Sequence, residues 1–447
     1  MVAVYLYSLI ALVFFIGSFV ELGIIPNQVS WSIEAIIVLL FLNALRQKAA
    51  THERFILFGA GFYVAFVVVC LLSRALNNTS FFYFLLFGRL CLRFYLLFLI
   101  LLNLDLPENL IRRIHKLLVL LFAIQIPVAL IKSFFFGIGE QTIGTYALSG
   151  GGNSTVIPLV AICFAICYYF LYRKHMYYLL LGLGFLVFGF IGGKRAIVPV
   201  VPALIAITAF TCIRYKQQII PFGKWRVMPL LLLTLVTVPA IFYCGVRLMP
   251  TLNPDNKIWG RFSPEYAINY MREYNRGVAG EDLSYGRIET TIRIFQYLRD
   301  RGFKAILFGF GPGEFIMSSF GNRDYNYFTN LIGKLGVSYG VMTLNFLALQ
   351  VGYIGAAIWI AFFGYAWLRL HSFARKETVP YWQAYMKSME CVSLVAIFMS
   401  LAYNNVFLED DLMGLIYMML LAFAVRRHFM CRSANKGSYW THAKLGY

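Results

Sequence analysis

Two adjacent cations, Lys194 and Arg195, sit in the turn Gly192-Gly193-Lys194-Arg195-Ala196 between two apolar stretches. A guanidinium presents a planar fork of donors that fits phosphate oxygens, so such a turn suits an anionic ligand. The plainer alternative is a snorkelling pair that reaches lipid headgroups. A second cationic place is Ser284-Tyr285-Gly286-Arg287-Ile288-Glu289. From there Ile288, Ile292, Phe295 and Leu298 follow helical spacing, with Ser284 as a cap and Gly302 as a stop. Free N–H groups at that helix start, joined by the charge of Arg287, would hold a phosphate; the alternative is a solvated arginine. Arg293 follows Glu289 by one turn, so an i,i+4 ion pair explains it as readily as a ligand does.

Arg89 and Arg93 lie one turn apart inside an apolar stretch. Each costs about 2.5–3.5 kcal/mol in a membrane helix on insertion scales, so such residues usually have a function. At 1.5 Å per residue they sit roughly 12–18 Å from the stretch's start. Here the alternative is a structural pair with Glu21 or Glu34. The run Gly309-Phe310-Gly311-Pro312-Gly313-Glu314-Phe315 looks like a nucleotide loop, but it does not lie between a strand and a helix. Its glycines are expected to make a tight turn that lets the backbone come close to a substrate or a membrane.

These residues need elements to hold them, and composition says which kind. The 447 residues are 60% hydrophobic and only 13% charged, about half the charge of a typical soluble domain. The net charge of +19 therefore reads as topology and attraction to anionic lipids, not as a nucleic-acid-binding face. Apolar runs near 3–25, 30–45, 55–73, 81–104, 117–136, 155–172, 176–192, 196–213, 227–248, 338–368, 388–408 and 411–425 predict an all-α polytopic membrane protein of about twelve spans. The first lacks a basic start and a cleavage pattern, so it is expected to stay as a helix. The tenth is too long for one crossing, and its start is expected to lie at the interface.

Arg46/Lys48/Arg54, Arg112/Arg113/Lys116, Arg173/Lys174, Arg214/Lys216/Lys224/Arg226, Arg369/Arg375/Lys376 and Arg426/Arg427/Arg432 all fall on one side of this arrangement. The links 26–29, 137–154 and 404–410 carry no Lys or Arg. The basic side is then cytoplasmic, with both termini inside, and the Lys194–Arg195 turn faces outward against the rule. The chain divides into nine spans over 1–248, a helical periplasmic loop over 249–337, and three spans with a cytoplasmic tail over 338–447.

Positions 249–330 mix ten Lys/Arg with nine Asp/Glu and contain no cysteine, so no disulfide or metal site is expected there. All six histidines fall in cytoplasmic links or the tail. An outward site must therefore take a proton on a carboxylate or tyrosine: Glu281, Glu289, Glu314, Asp324 or Tyr325. Trp259, Tyr266, Tyr270, Tyr274 and Tyr285 are candidates to stack on sugar rings, although tyrosines also line membrane interfaces.

In this order the motifs resemble the O-antigen polymerase and ligase superfamily of bacterial inner membranes. Arg195 meets that family's outward arginine in a tight turn. Arg287 through Phe315 meets its second arginine, heading an amphipathic stretch that ends in a glycine turn. Tyr325-Asn326-Tyr327-Phe328, running to Lys334-Leu335-Gly336, is similar to the short third motif. The likeness covers about 180–345. Ligases of the superfamily carry His-Asn at the third motif; here Tyr325 replaces the histidine while Asn326 fits, which favours a polymerase. The resemblance implies a metal-independent, cofactor-free transfer of a growing glycan from undecaprenyl pyrophosphate onto a new lipid-linked repeat unit, with a chain-length-regulating copolymerase as a partner class. It places Arg195 and Arg287 on the donor pyrophosphate and Lys194 and Arg293 beside them. Arg89 and Arg93 fall to the second lipid headgroup, and Glu314 or Asp324 to the acceptor hydroxyl. A flippase or carrier also suits twelve helices, but such proteins usually show internal pseudo-symmetry, and no repeat is visible.

Overall fold

A computed structural model describes residues 2–51, 55–139, 144–145, 152–172, 175–219, 228–276, 286–315 and 342–443. Among them every regular element is helical. Nine helices come first: α1 (Val2–Glu21), α2 (Ser32–Thr51), α3 (Ala60–Asn77), α4 (Phe81–Asn103), α5 (Glu108–Phe136), α6 (Gly152–Cys167), α7 (Met176–Ile191), α8 (Ile197–Ile219) and α9 (Met228–Leu248). Three shorter helices follow: α10 (Pro264–Arg276), α11 (Arg287–Asp300) and α12 (Phe303–Phe308). The chain then returns through α13 (Thr343–Lys376), α14 (Pro380–Ala402), the short α15 (Val406–Glu409) and α16 (Asp411–Ala443).

Among the described residues ten helices are long and apolar enough to cross a membrane, and Met176–Ile191 and Val236–Leu248 form two shorter apolar helices. The protein is an all-α polytopic membrane protein. Proline occurs inside α5, α6, α8 and α9, at Pro127, Pro158, Pro202 and Pro239. Membrane helices tolerate it because neighbouring groups satisfy the freed carbonyls. The helices α6, α13, α14 and α16 are the most buried, while α2 and α5 stay largely open along their apolar length. With no water to drive apolar contact, the open faces suit lipid and the covered ones pack against protein.

Two ends can be told apart by what meets there. At one, Arg426 donates to the carbonyls of Leu102 and Leu104, and Arg427 joins Glu108 at 3.0 Å and Glu377 at 2.9 Å. His115 lies toward this end, 2.6 Å from the Tyr381 hydroxyl, and His428 stacks on Phe373. The other end carries α10–α12 and is called the loop end below.

The long run expected over 338–368 begins as α13 at Thr343 and breaks at Gly352, where φ is 74° and ψ 175°. The break is built against the glycine-rich turn. The N–H groups of Phe310 and Gly311 donate to the carbonyls of Leu349 and Gln350, at 2.9 and 3.0 Å, and Gly313 N–H donates to Gln350 Oε1 at 2.7 Å. On the other side Ser73 and Asn77 of α3 donate to the carbonyls of Phe308 and Gly309. The glycines thus let backbone approach backbone, with a Cβ on Gly309 only 2.6 Å from the Gln350 carbonyl carbon. That close approach is to protein, where the sequence suggested substrate or membrane.

Helix α11 also departs from expectation. It begins after Gly286, extended at φ −66° and ψ 170°, with no side-chain cap bond. Ser284 lies outside the described residues. Thr290, Ile294 and Leu298 form its buried face, while Ile288, Ile292 and Phe295 are exposed. Both stripes are helical in period, and of the residues the sequence favoured the fold buries Leu298 and leaves Ile288, Ile292 and Phe295 open. Gly302 stops the helix as expected, at φ 94°.

Candidate functional site

The Gly192–Ala196 turn is set from both sides. Gly192 and Gly193 N–H groups donate to the carbonyls of Phe188 and Phe190, both at 3.0 Å, and Gly139 N–H donates to Ile191 at 3.0 Å. Gly193, at φ 65°, reverses the chain into α8, a conformation that favours glycine. Lys194 is buried beneath this turn. Arg195 points toward α10, whose Tyr266, Tyr270 and Tyr274 recur one helical turn apart with their rings stacked. The guanidinium lies 4.9 Å from the Tyr270 ring centre and 4.5 Å from that of Tyr274, and Nε donates to the Thr251 hydroxyl at 3.2 Å. Its Nη1 is buried without a hydrogen-bond partner among the described residues. Two of the tyrosines proposed for sugar stacking therefore brace an arginine.

Arg287 stands at the start of α11, with its guanidinium 4.1 Å from the ring centre of Tyr403. Its Nε donates to the Tyr403 carbonyl at 2.8 Å. Tyr403 closes α14, and its hydroxyl lies 3.1 Å from that of Thr155. Thr155 follows Ser154, which is packed so closely on Gly192 that a Cβ there would lie 2.9 Å from Ser154 Cβ. A short chain of contacts therefore joins the Arg195 turn to Arg287. Neither arginine has a carboxylate partner among the described residues.

The other cations differ. Arg293 Nε meets Glu289 Oε1 at 2.9 Å, the local pair its spacing allowed. Arg89 meets Glu34 at 2.6 Å and lies over Trp31. Arg93 meets Asp411 at 2.6 Å and Glu34 at 3.5 Å, and donates to the Glu409 carbonyl at 3.0 Å. This network ties α2, α4 and α16 together at the loop end. Glu34 was one of the two carboxylates expected; Asp411 was not foreseen. Glu314 follows the glycine turn, which is packed on Thr79 of the α3–α4 link and on Tyr83 of α4. Asp324, Tyr325 and Asn326 lie outside the described residues, as do Glu281 and Tyr285.

A scan against protein-family models finds no match, and neither does a search of curated proteins. The site must be read from its own geometry.

Sequence reasoning missed the link after α14. Tyr403 holds Arg287, and Asn404 follows it nearly buried. Glu409, on α15, accepts a hydrogen bond from Asn405. Desolvation pushes its carboxyl up to about 7, against the pull of Asn405 and Arg93, although more than a third of its surface stays open. The signal available was only that this link carries no Lys or Arg.

Proposed function

We propose that the chain polymerises undecaprenyl-pyrophosphate-linked oligosaccharide repeat units into surface polysaccharide, at the periplasmic face of a bacterial inner membrane. Arg195 and Arg287 carry this reading. They are two arginines at the loop end, braced from behind by tyrosines and without carboxylate partners among the described residues. An arginine already paired has little to offer a ligand; these two keep charge and donors for an anion. Twelve crossings follow if the two shorter apolar helices span as well, and the basic links then lie inside.

In the reaction the anomeric carbon–oxygen bond to the donor pyrophosphate breaks. A new bond forms to an acceptor hydroxyl oxygen, and the lipid pyrophosphate leaves with the electron pair. Arg195 and Arg287 stabilise that departing charge where it develops. The hydroxyl proton passes to Glu314, which follows the glycine turn, or to Asp324, which lies outside the described residues. Lys194 adds positive charge next to Arg195. The pairs Arg293–Glu289, Arg89–Glu34 and Arg93–Asp411 make those three arginines supporting residues.

The test is a gel of surface glycan from a strain whose only copy carries Arg287→Ala. The expected pattern is core plus a single repeat unit, with the long ladder gone and the protein still in the membrane. A normal ladder sinks the assignment. Loss of every band above the core, with lipid-linked polymer accumulating, would make the protein a ligase instead.

A further inference from the structure

Beside Arg287 the fold buries polar atoms that no described residue satisfies. Asn345, on the first segment of α13, is wholly buried, and its Oδ1 has no hydrogen-bond partner among the described residues. Its orientation follows from its neighbours. Thr291 Oγ1 spends its single proton on the Arg287 carbonyl, at 2.9 Å. That oxygen can then only accept from Asn345, so Nδ2 of Asn345 must be the atom at 2.9 Å, leaving Oδ1 as a free acceptor. Asn404 is 9% exposed, and its Nδ2 likewise lacks a partner among the described residues. Its Oδ1 takes the Val406 N–H at 3.4 Å, which leaves two amide donors. The two asparagines are tied together, because Thr343, two residues before Asn345, donates its N–H and hydroxyl to the Asn404 carbonyl at 3.4 and 3.2 Å.

A buried amide atom without a partner pays its desolvation uncompensated, so two such atoms beside one arginine call for a ligand. Its chemistry is constrained by sign. A phosphate oxygen could use the Asn404 amide and the arginines, but it has nothing to give Asn345 Oδ1. A sugar hydroxyl both donates and accepts, and so satisfies both amides. We propose that Asn345 and Asn404 form a glycan-hydroxyl subsite that binds the first sugar next to the pyrophosphate held by Arg287. This rests on the function proposed above and assigns it two further binding residues, both outside the motifs that suggested it.

The experiment uses the full-length chain purified in detergent and two probes. One is sugar-free undecaprenyl pyrophosphate; the other is the lipid-linked repeat unit extracted from a strain lacking this gene. Asn345→Leu and Asn404→Leu keep the side-chain volume and remove the amide. Each is expected to weaken binding of the glycan-bearing lipid about tenfold, the size of one or two lost hydrogen bonds, and to leave the sugar-free lipid bound as in wild type. Retained binding of the sugar-free probe also certifies the fold of each variant. Wild-type binding of both probes with unchanged glycan-lipid affinity in the variants overturns the subsite and leaves the pyrophosphate reading standing. Failure of the wild-type protein to bind either probe removes both. A variant that loses both probes equally is misassembled or acts through Arg287, and the sugar subsite is then rejected.

Discussion

Replacing Gly352 by alanine should disrupt the protein far more than the substitution's size suggests. The backbone there, at φ 74° and ψ 175°, lies in a region open essentially only to glycine, which costs an L-residue about 1–3 kcal/mol. A Cβ would also stand 2.0 Å from the Leu307 carbonyl oxygen and 2.1 Å from its carbon. Those atoms are backbone and cannot rotate away. The Leu307–Gly311 segment would have to retreat, breaking the hydrogen bonds from Phe310 and Gly311 to Leu349 and Gln350. At about 0.5–1.5 kcal/mol each, the combined loss is about 2–6 kcal/mol. Gly364 supplies the control: it sits in the same helix, and a Cβ there meets nothing within 4 Å. Gly364→Ala should stabilise by about 0.5–1 kcal/mol through chain entropy alone. Thermal unfolding of both purified variants, in one detergent, compares them directly. A Gly352→Ala protein that melts with the wild type would show that the break is not imposed by the turn, and the account of the glycine-rich run would fail with it.

Three smaller perturbations separate supporting residues from the site. Arg293→Ala should leave the glycan ladder intact and cost only about 0.3–0.5 kcal/mol, because its pair with Glu289 is a half-open i,i+4 pair; loss of polymer in that variant would return Arg293 to the binding residues. Arg93→Ala, Asp411→Ala and the double variant should show a coupling of about 1–2 kcal/mol in melting experiments, and strictly additive effects would deny the 2.6 Å pair. Glu409 has a carboxyl raised from 4.5 to about 7, so the folded state holds the proton more tightly than the unfolded chain does. Stability from this group is then complete below pH 4.5 and is lost as the pH climbs through 7. Glu409→Gln should flatten that decline between pH 5 and 8, and an equally steep decline in the variant would remove Glu409 as its source.

How much of this was visible beforehand depends on the reach of each interaction. The spans were legible because an apolar run of about twenty residues is a local signal. The Arg293–Glu289 pair was legible for the same reason: both partners ride one helix face. The glycine-rich run was recognised as a turn, yet what it turns against is a helix break some forty residues on, which no local pattern announces. The arginines divide along the same line. Residue type and depth marked Arg89, Arg93, Arg195 and Arg287 alike, but they differ in counter-ion, and that is a fact of packing. Glu34 reaches Arg89 across 55 positions, and Tyr403 reaches Arg287 across 116. In a membrane chain an unpaired cation is costly wherever it sits, and this fold supplies carboxylates to Arg89 and Arg93 and tyrosine faces to Arg195 and Arg287. The sequence could propose five anion-binding arginines; three-dimensional pairing leaves Arg195 and Arg287 without a carboxylate partner among the described residues. It also brings forward Asn345 and Asn404, which carry no charge and no motif, and which only burial without partners could single out.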